Sequence, residues 1–157
     1  MINEKQEIIK SVESILSKNK LMSLSTSSNN LLCICTLFFA YDKDFNLYFW
    51  SEKTTIHSLN IQKNKKVAVS IADSSQSFGS ILEGLKIYGK AELIENKDLL
   101  KGGALYIKRF SKVKAWIAKV SDLNSKFNSR MDKVKPKKII VLDEKKFGKE
   151  EYKELMK

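Results

Sequence analysis

Within five residues, Ser51, Lys53, Thr54 and Thr55 gather three hydroxyls and one ammonium, directly ahead of a short helical pattern. A phosphate suits this set: hydroxyl and ammonium groups donate to its oxygens, and the unpaired N–H groups at a helix start point toward the same place. Phe49 and Trp50 come immediately before. Aromatic faces beside a phosphate-suited turn fit a planar ring carrying a phosphate tail, as in a nucleotide or flavin. The same residues also have an ordinary reading, because Ser and Thr favour helix N-caps on their own account and Lys53 suits a solvated turn.

The remaining reactive residue types offer less. His57 is the only histidine, and on a short helix it reads as a packed or surface residue before it reads as a ligand. One histidine and two cysteines are too few ligands for a metal centre. Cys33 and Cys35 sit two apart on a strand pattern, so their side chains project in parallel, which is poor geometry for bridging and suits reduced, packed thiols. No Ser-His-Asp order, GxxxxGK loop or paired-carboxylate motif is present, so hydrolytic chemistry has no support. Trp116 reads as core or interface, and Arg109 as the partner of a carboxylate.

The elements that position these groups follow from periodicity. Ile8, Ile9, Val12, Ile15 and Leu16 recur at helical spacing, giving an amphipathic helix over about 3–18. Leu21 to Ser27 alternates as a strand, and Asn29-Asn30 marks a turn. Leu31 to Tyr41 is nearly continuous apolar sequence, as expected of a strand buried on both faces. Asp42 to Asn46 supplies a hairpin turn, with Leu47 to Trp50 returning antiparallel. Ile56, Leu59 and Ile61 give the inner face of a short helix, and Val67 to Ala72 the next strand. Ile81 to Glu95 reads as a long strand in which Gly84 and Gly89 mark bulges or close approaches. From about 97 to 120 the period is helical, despite Gly102 and Gly103. Lys137 to Leu142, after the single proline Pro136, predicts a last strand, and the tail from Asp143 is charged and helix-like. Short strands joined by tight turns suggest a small antiparallel barrel, about 21–95 and 137–142, within one domain spanning 1–157.

Composition narrows the function classes. At 157 residues and 43% hydrophobic, the chain is sized for one globular domain. Its longest apolar run is about eleven residues, short of the roughly 20 needed for a membrane helix. The N-terminus is too charged for a signal peptide, so a cytoplasmic location without a membrane is expected. The net charge of +11 invites nucleic acid, yet of 29 basic residues only Arg109 and Arg130 are arginine, the type that reads base edges. Specific nucleic-acid binding is not expected.

From Leu31 to Glu95, the strand, the FxWSxKT-like turn, the short helix with Leu59 and the GLKIYGKAELI strand resemble the FMN-binding split β-barrel superfamily, named for pyridoxamine 5'-phosphate oxidase. ALYIKRF, Ala104 to Phe110, resembles the Tyr-x-x-Arg-Phe helix of a small, little-characterised bacterial branch. The resemblance implies a mainly β, antiparallel, Greek-key-like split barrel with flanking helices. It also implies a homodimer with FMN in grooves between the barrels, and an oxidoreductase acting on an unknown small-molecule substrate. By carry-over, Ser51, Lys53, Thr54 and Thr55 meet the phosphate, and Cys35, Thr36 and Leu37 lie near the isoalloxazine ring. Phe49 and Trp50 fall between them, and Lys86 is directed toward the flavin. The adjacent Arg-Lys pair of the vitamin oxidases is missing at Lys53-Thr54-Thr55, as is their C-terminal Arg and His segment. True pyridoxamine phosphate oxidation is therefore not expected. Haem, or no cofactor, stands as the alternative within the same fold.

Overall fold

In the computed structural model, which describes residues 3–114 and 129–157, helix α1 runs from Glu4 to Lys18. Asn3 caps it through its side chain, and Ile8, Val12, Ile15 and Leu16 form its buried stripe. The described strands are β1 (Leu21–Ser28), β2 (Leu31–Phe38), β3 (Ala40–Tyr41), β4 (Leu47–Glu52), β5 (Lys66–Ile71), β6 (Glu83–Leu93), β7 (Ser129–Asp143) and β8 (Tyr152–Met156). Helix α2 (Ile56–Lys63) follows β4, α3 (Asn96–Arg109) follows β6, and the single turn α4 (Glu144–Phe147) precedes β8.

These strands form one antiparallel sheet in the order β2-β1-β5-β6-β7-β4-β3. Long β7 lies along β6 on one side; on the other it pairs β4 with its first half and β8 with its second. β2 and β3 stand at opposite ends of this order, yet only Phe39 separates them in the chain. The sheet therefore curls until its ends nearly meet, and Phe39, fully buried, is the pivot. The result is a split antiparallel barrel with flanking helices, as the sequence predicts.

Two apolar clusters hold it. The inner one combines the α1 stripe with inward residues such as Leu24, Phe49, Val69, Ile87 and Val141. The second lies outside β4 and β7, where α3 covers Tyr48, Met131 and Ile94 with Tyr106. Gly102 permits that approach: a Cβ there would stand 2.7 Å from both Met131 Sδ and Tyr48 Cδ1. The β3–β4 turn is built on Asp42, which accepts from the Asn46 N–H at 3.0 Å, Tyr48 OH at 3.0 Å and Lys101 Nζ at 2.6 Å. Burial works against its charge, but the bonds from Lys101, Asn46 and Tyr48 prevail and hold its pKa at about 2.

Several expectations are corrected. Leu31 to Tyr41 is not a strand buried on both faces: it breaks at Phe39, and β2 is an edge strand with Leu31, Leu32 and Ile34 exposed at 74%, 81% and 73%. Cys35 and Leu37 alternate inward and pack on the core, while among the described residues Leu31, Leu32 and Ile34 stay open and only Phe38 meets a ring, that of Phe110 at 5.5 Å. In α2 the inner face is His57, Ser58 and Ile61, with Ile56 and Leu59 exposed. Pro136 lies inside β7, at the irregularity opposite Gly89, so the last long strand begins eight residues before Lys137. The tail adds a strand, β8, after one helical turn. Arg109 has no carboxylate partner among the described residues. Its Nη2 donates to Leu16 O at 2.7 Å and to Asn19 O, capping α1, between the rings of Phe39 and Tyr41 at 4.8 and 5.0 Å. Trp116, Ile117 and Val120 lie outside the described residues.

Candidate functional site

At the end of β4 the chain turns into α2. Thr55 is the N-cap, in extended conformation, and its hydroxyl accepts from Ser58 N at 3.4 Å. The helix then swings His57 and Ser58 back against β4. Ser51 Oγ lies 2.8 Å from His57 Nε2 and 2.8 Å from Ser58 Oγ, and Thr55 Oγ1 lies 3.1 Å from the same nitrogen. Two hydroxyls thus meet one nitrogen of a buried imidazole, with Ser58 Oγ joining them at 2.8 and 3.0 Å, and the ring centre is 6.5 Å from that of Phe49.

β7 supplies the other wall. Its register sets Arg130 beside Ser51 and Asp132 beside Phe49, both inside the barrel. Arg130 Nε donates to Asp132 Oδ2 at 2.8 Å and its Nη2 to Oδ1, so the guanidinium occupies both carboxylate oxygens. Burial pushes the Asp132 carboxyl above the ordinary range, with Arg130 opposing. Burial also lowers the His57 pKa, against the attraction of Asp132 and with the repulsion of Arg130. The Ser51–His57 contact is therefore not a nucleophile–base pair with a carboxylate orienting it, since Asp132 is committed to Arg130.

The ten sequence-derived positions fall in five places. Lys53 and Thr54 are exposed on the turn, and neither side chain bonds another described residue. The first N–H groups of α2 lie beside them without intrahelical partners. Ser51 and Thr55 belong to the hydroxyl cluster just beneath. Phe49, Cys35 and Leu37 face the barrel interior, where burial, then Cys33, push the Cys35 thiol up to about 11. Such a thiol is not a nucleophile at neutral pH.

Thr36 and Lys86 lie on the outward sheet face, in one cross-strand row with Ser23 and Ser70. Beside that row is a shallow depression of 250 Å³ lined by Ser23, Ser25, Ile34, Ser70 and Lys86. Lys86 Nζ sits 4.8 Å over the Tyr152 ring. Trp50 points away from Phe49, into the cluster under α3, and its buried Nε1 has no partner among the described residues. Sequence reasoning missed Ser58, Arg130 and Asp132. The Arg-Met-Asp alternation on one strand face was a signal for the last two.

Among the described residues no helix is long and apolar enough to cross a membrane, and no group of three His, Cys, Asp or Glu side chains suits a metal ion. The pyridoxamine 5'-phosphate oxidase family model matches residues 8–143. No curated protein matches the sequence.

Solved structures share the fold at low identity. A haem-binding protein from Mycobacterium smegmatis is 11% identical with TM-score 0.78, over 99% of this chain and 59% of that one. The chain thus spans about three fifths of that protein. General Stress Protein 26 from Bacillus anthracis is 18% identical with TM-score 0.65, over 95% and 99%. A FAD-binding protein from Mesorhizobium loti is 15% identical with TM-score 0.59, over 81% and 88%.

Proposed function

The chain belongs to the pyridoxamine 5'-phosphate oxidase family, and from that premise we propose that it is an FMN-binding flavoprotein. In this reading it is a cytoplasmic homodimer with FMN between the barrels, and an oxidoreductase toward a small molecule. The observation that carries the FMN assignment is the α2 turn, where Lys53 and Thr54 stand exposed at a helix start. Lys53, Thr54 and the free N–H groups hold the phosphate, and Ser51 and Thr55 complete its shell from the hydroxyl cluster. The β2 backbone at Cys35, Thr36 and Leu37 borders the ring, with the Thr36 side chain on the outward face, and Phe49 and Trp50 stiffen the strand between the two parts. Lys86 supplies positive charge that favours an anionic reduced ring. FMN, when bound, brings the hydride and electron transfer, so the protein needs only to bind and tune it.

A flavin fits better than haem. The chain's single histidine is buried, with Nε2 already held by Ser51 and Thr55, and haem ligation through that nitrogen requires breaking both contacts. The purified protein is expected to be yellow and to release FMN on denaturation. Lys53→Ala is expected to weaken FMN binding about tenfold, the scale of one charge-assisted hydrogen bond. A red preparation with a Soret band, or unchanged FMN affinity in Lys53→Ala, would overturn the assignment.

A further inference from the structure

Away from the α2 turn, the sheet register places Lys66 opposite Lys90 and Lys90 opposite Lys135. Three lysines thus form one transverse row across β5, β6 and β7, with about 5 Å between neighbouring Cβ atoms. Like charges directly opposite each other destabilise a sheet. The nearby carboxylates serve other lysines: Glu92 pairs Lys65 at 3.6 Å and Glu154 pairs Lys138 at 3.0 Å. Among the described residues no carboxylate pairs with the row itself.

The ladder breaks next to this row. The β6–β7 register shifts between Tyr88 and Gly89, opposite Pro136. Glycine is required there, because a Cβ would stand 2.2 Å from the Lys135 carbonyl oxygen. The break opens a groove of 730 Å³, rimmed by Lys66, Lys90, Lys135, Lys137, Lys138 and Lys157. Its floor is apolar, from Tyr88, Pro136 and Met156.

That volume lies within the roughly 300–1,000 Å³ of small-molecule pockets. Lysine ammonium groups are point charges suited to phosphate oxygens rather than to bidentate base reading. A concave pocket with an apolar floor also differs from the extended stripe that tracks a nucleic-acid backbone. We propose that this groove binds a small organic polyphosphate, its flat ring on Tyr88, Pro136 and Met156 and its phosphates along the Lys66–Lys90–Lys135 row. The ligand removes the repulsion that the empty row imposes on the sheet. The site shares no residue with the α2 turn.

Calorimetric titration with ADP, pyrophosphate and a single-stranded oligonucleotide, with and without saturating FMN, tests this. ADP is expected to bind at a single site per chain, more tightly than pyrophosphate, and FMN is expected not to compete. That readout stands even if FMN fails to bind. Lys90→Gln is expected to weaken ADP about tenfold, the size of one charge-assisted contact, while raising the Tm of the ligand-free protein. Absence of ADP binding, competition by FMN, or an unchanged affinity in Lys90→Gln would overturn the site. Equal affinity for pyrophosphate and ADP would overturn the ring placement. Oligonucleotide binding tighter than ADP and steeply salt-dependent would replace the proposal with a nucleic-acid one.

Discussion

His57 sits where protonation is unwelcome, because burial lowers its pKa from the ordinary 6.5 and hydroxyls fill the space at Nε2. As the pH falls through 6.5 the unfolded chain takes up a proton that the folded chain refuses, so stability present above that pH drains away below it. One such group contributes a slope of up to about 1.4 kcal/mol per pH unit. Urea unfolding at pH 7.5 and 5.5 should show the loss in the wild type, and His57→Gln should flatten it. An equal slope in both proteins would place the effect elsewhere. The sequence left His57 as either a packed or a surface residue and gave no sign of its neighbours, since Arg130 and Asp132 reach it from more than seventy residues away through strand pairing. Arg109 was misread for a similar reason. A lone arginine in a helix does not reveal that its partners are the carbonyls ending another helix, held between aromatic rings.

Among the elements, α3 carries adjacent glycines with opposite roles. A Cβ at Gly102 would stand 2.7 Å from Met131 and Tyr48, whereas one at Gly103 would meet nothing within 4 Å. Gly103→Ala should therefore stabilise the protein by about 0.5–1 kcal/mol through helix propensity. Gly102→Ala should destabilise it by about 1–3 kcal/mol through overpacking, despite the same propensity gain. Thermal unfolding of the pair checks the sign, and a Gly102→Ala protein as stable as the wild type would mean α3 lifts off β4 without penalty. Propensity alone does not separate the two, and the helical period around them was legible because Leu99, Leu100, Ala104, Leu105, Ile107 and Phe110 kept their spacing, although the buried face centres on Gly102 and Tyr106. Helix α2 was harder. Over eight residues, apolar Ile56 and Leu59 suggested the wrong inner face, because the true one is held by hydrogen bonds from His57 and Ser58. Pro136 misled in the same manner: it reads as a strand boundary, yet the bulge at Gly89 lets it sit within β7.

For the whole molecule, the curled antiparallel sheet was legible because its turns and alternation are local, while the environment of β2 was not. An unbroken apolar run looks the same whether its own chain or a second copy covers it. With Leu32, Ile34 and Phe38 exposed at 81%, 73% and 55%, the outward face of β2 is the surface the proposed homodimer would bury. Ile34→Lys should shift light-scattering mass from dimer to monomer and weaken FMN binding with it; a dimer that survives the charge would move the interface elsewhere. The geometry of β2 also bears on solubility. It ends the strand order, and among the described residues no strand pairs its free edge. Its eight residues, LLCICTLF, hold no charge and no proline. Such a segment recruits identical segments edge to edge and stacks them into fibres. In the proposed homodimer, covering β2 would also keep this segment from such pairing, and a mutation that frees the strand should be met by precipitation before unfolding.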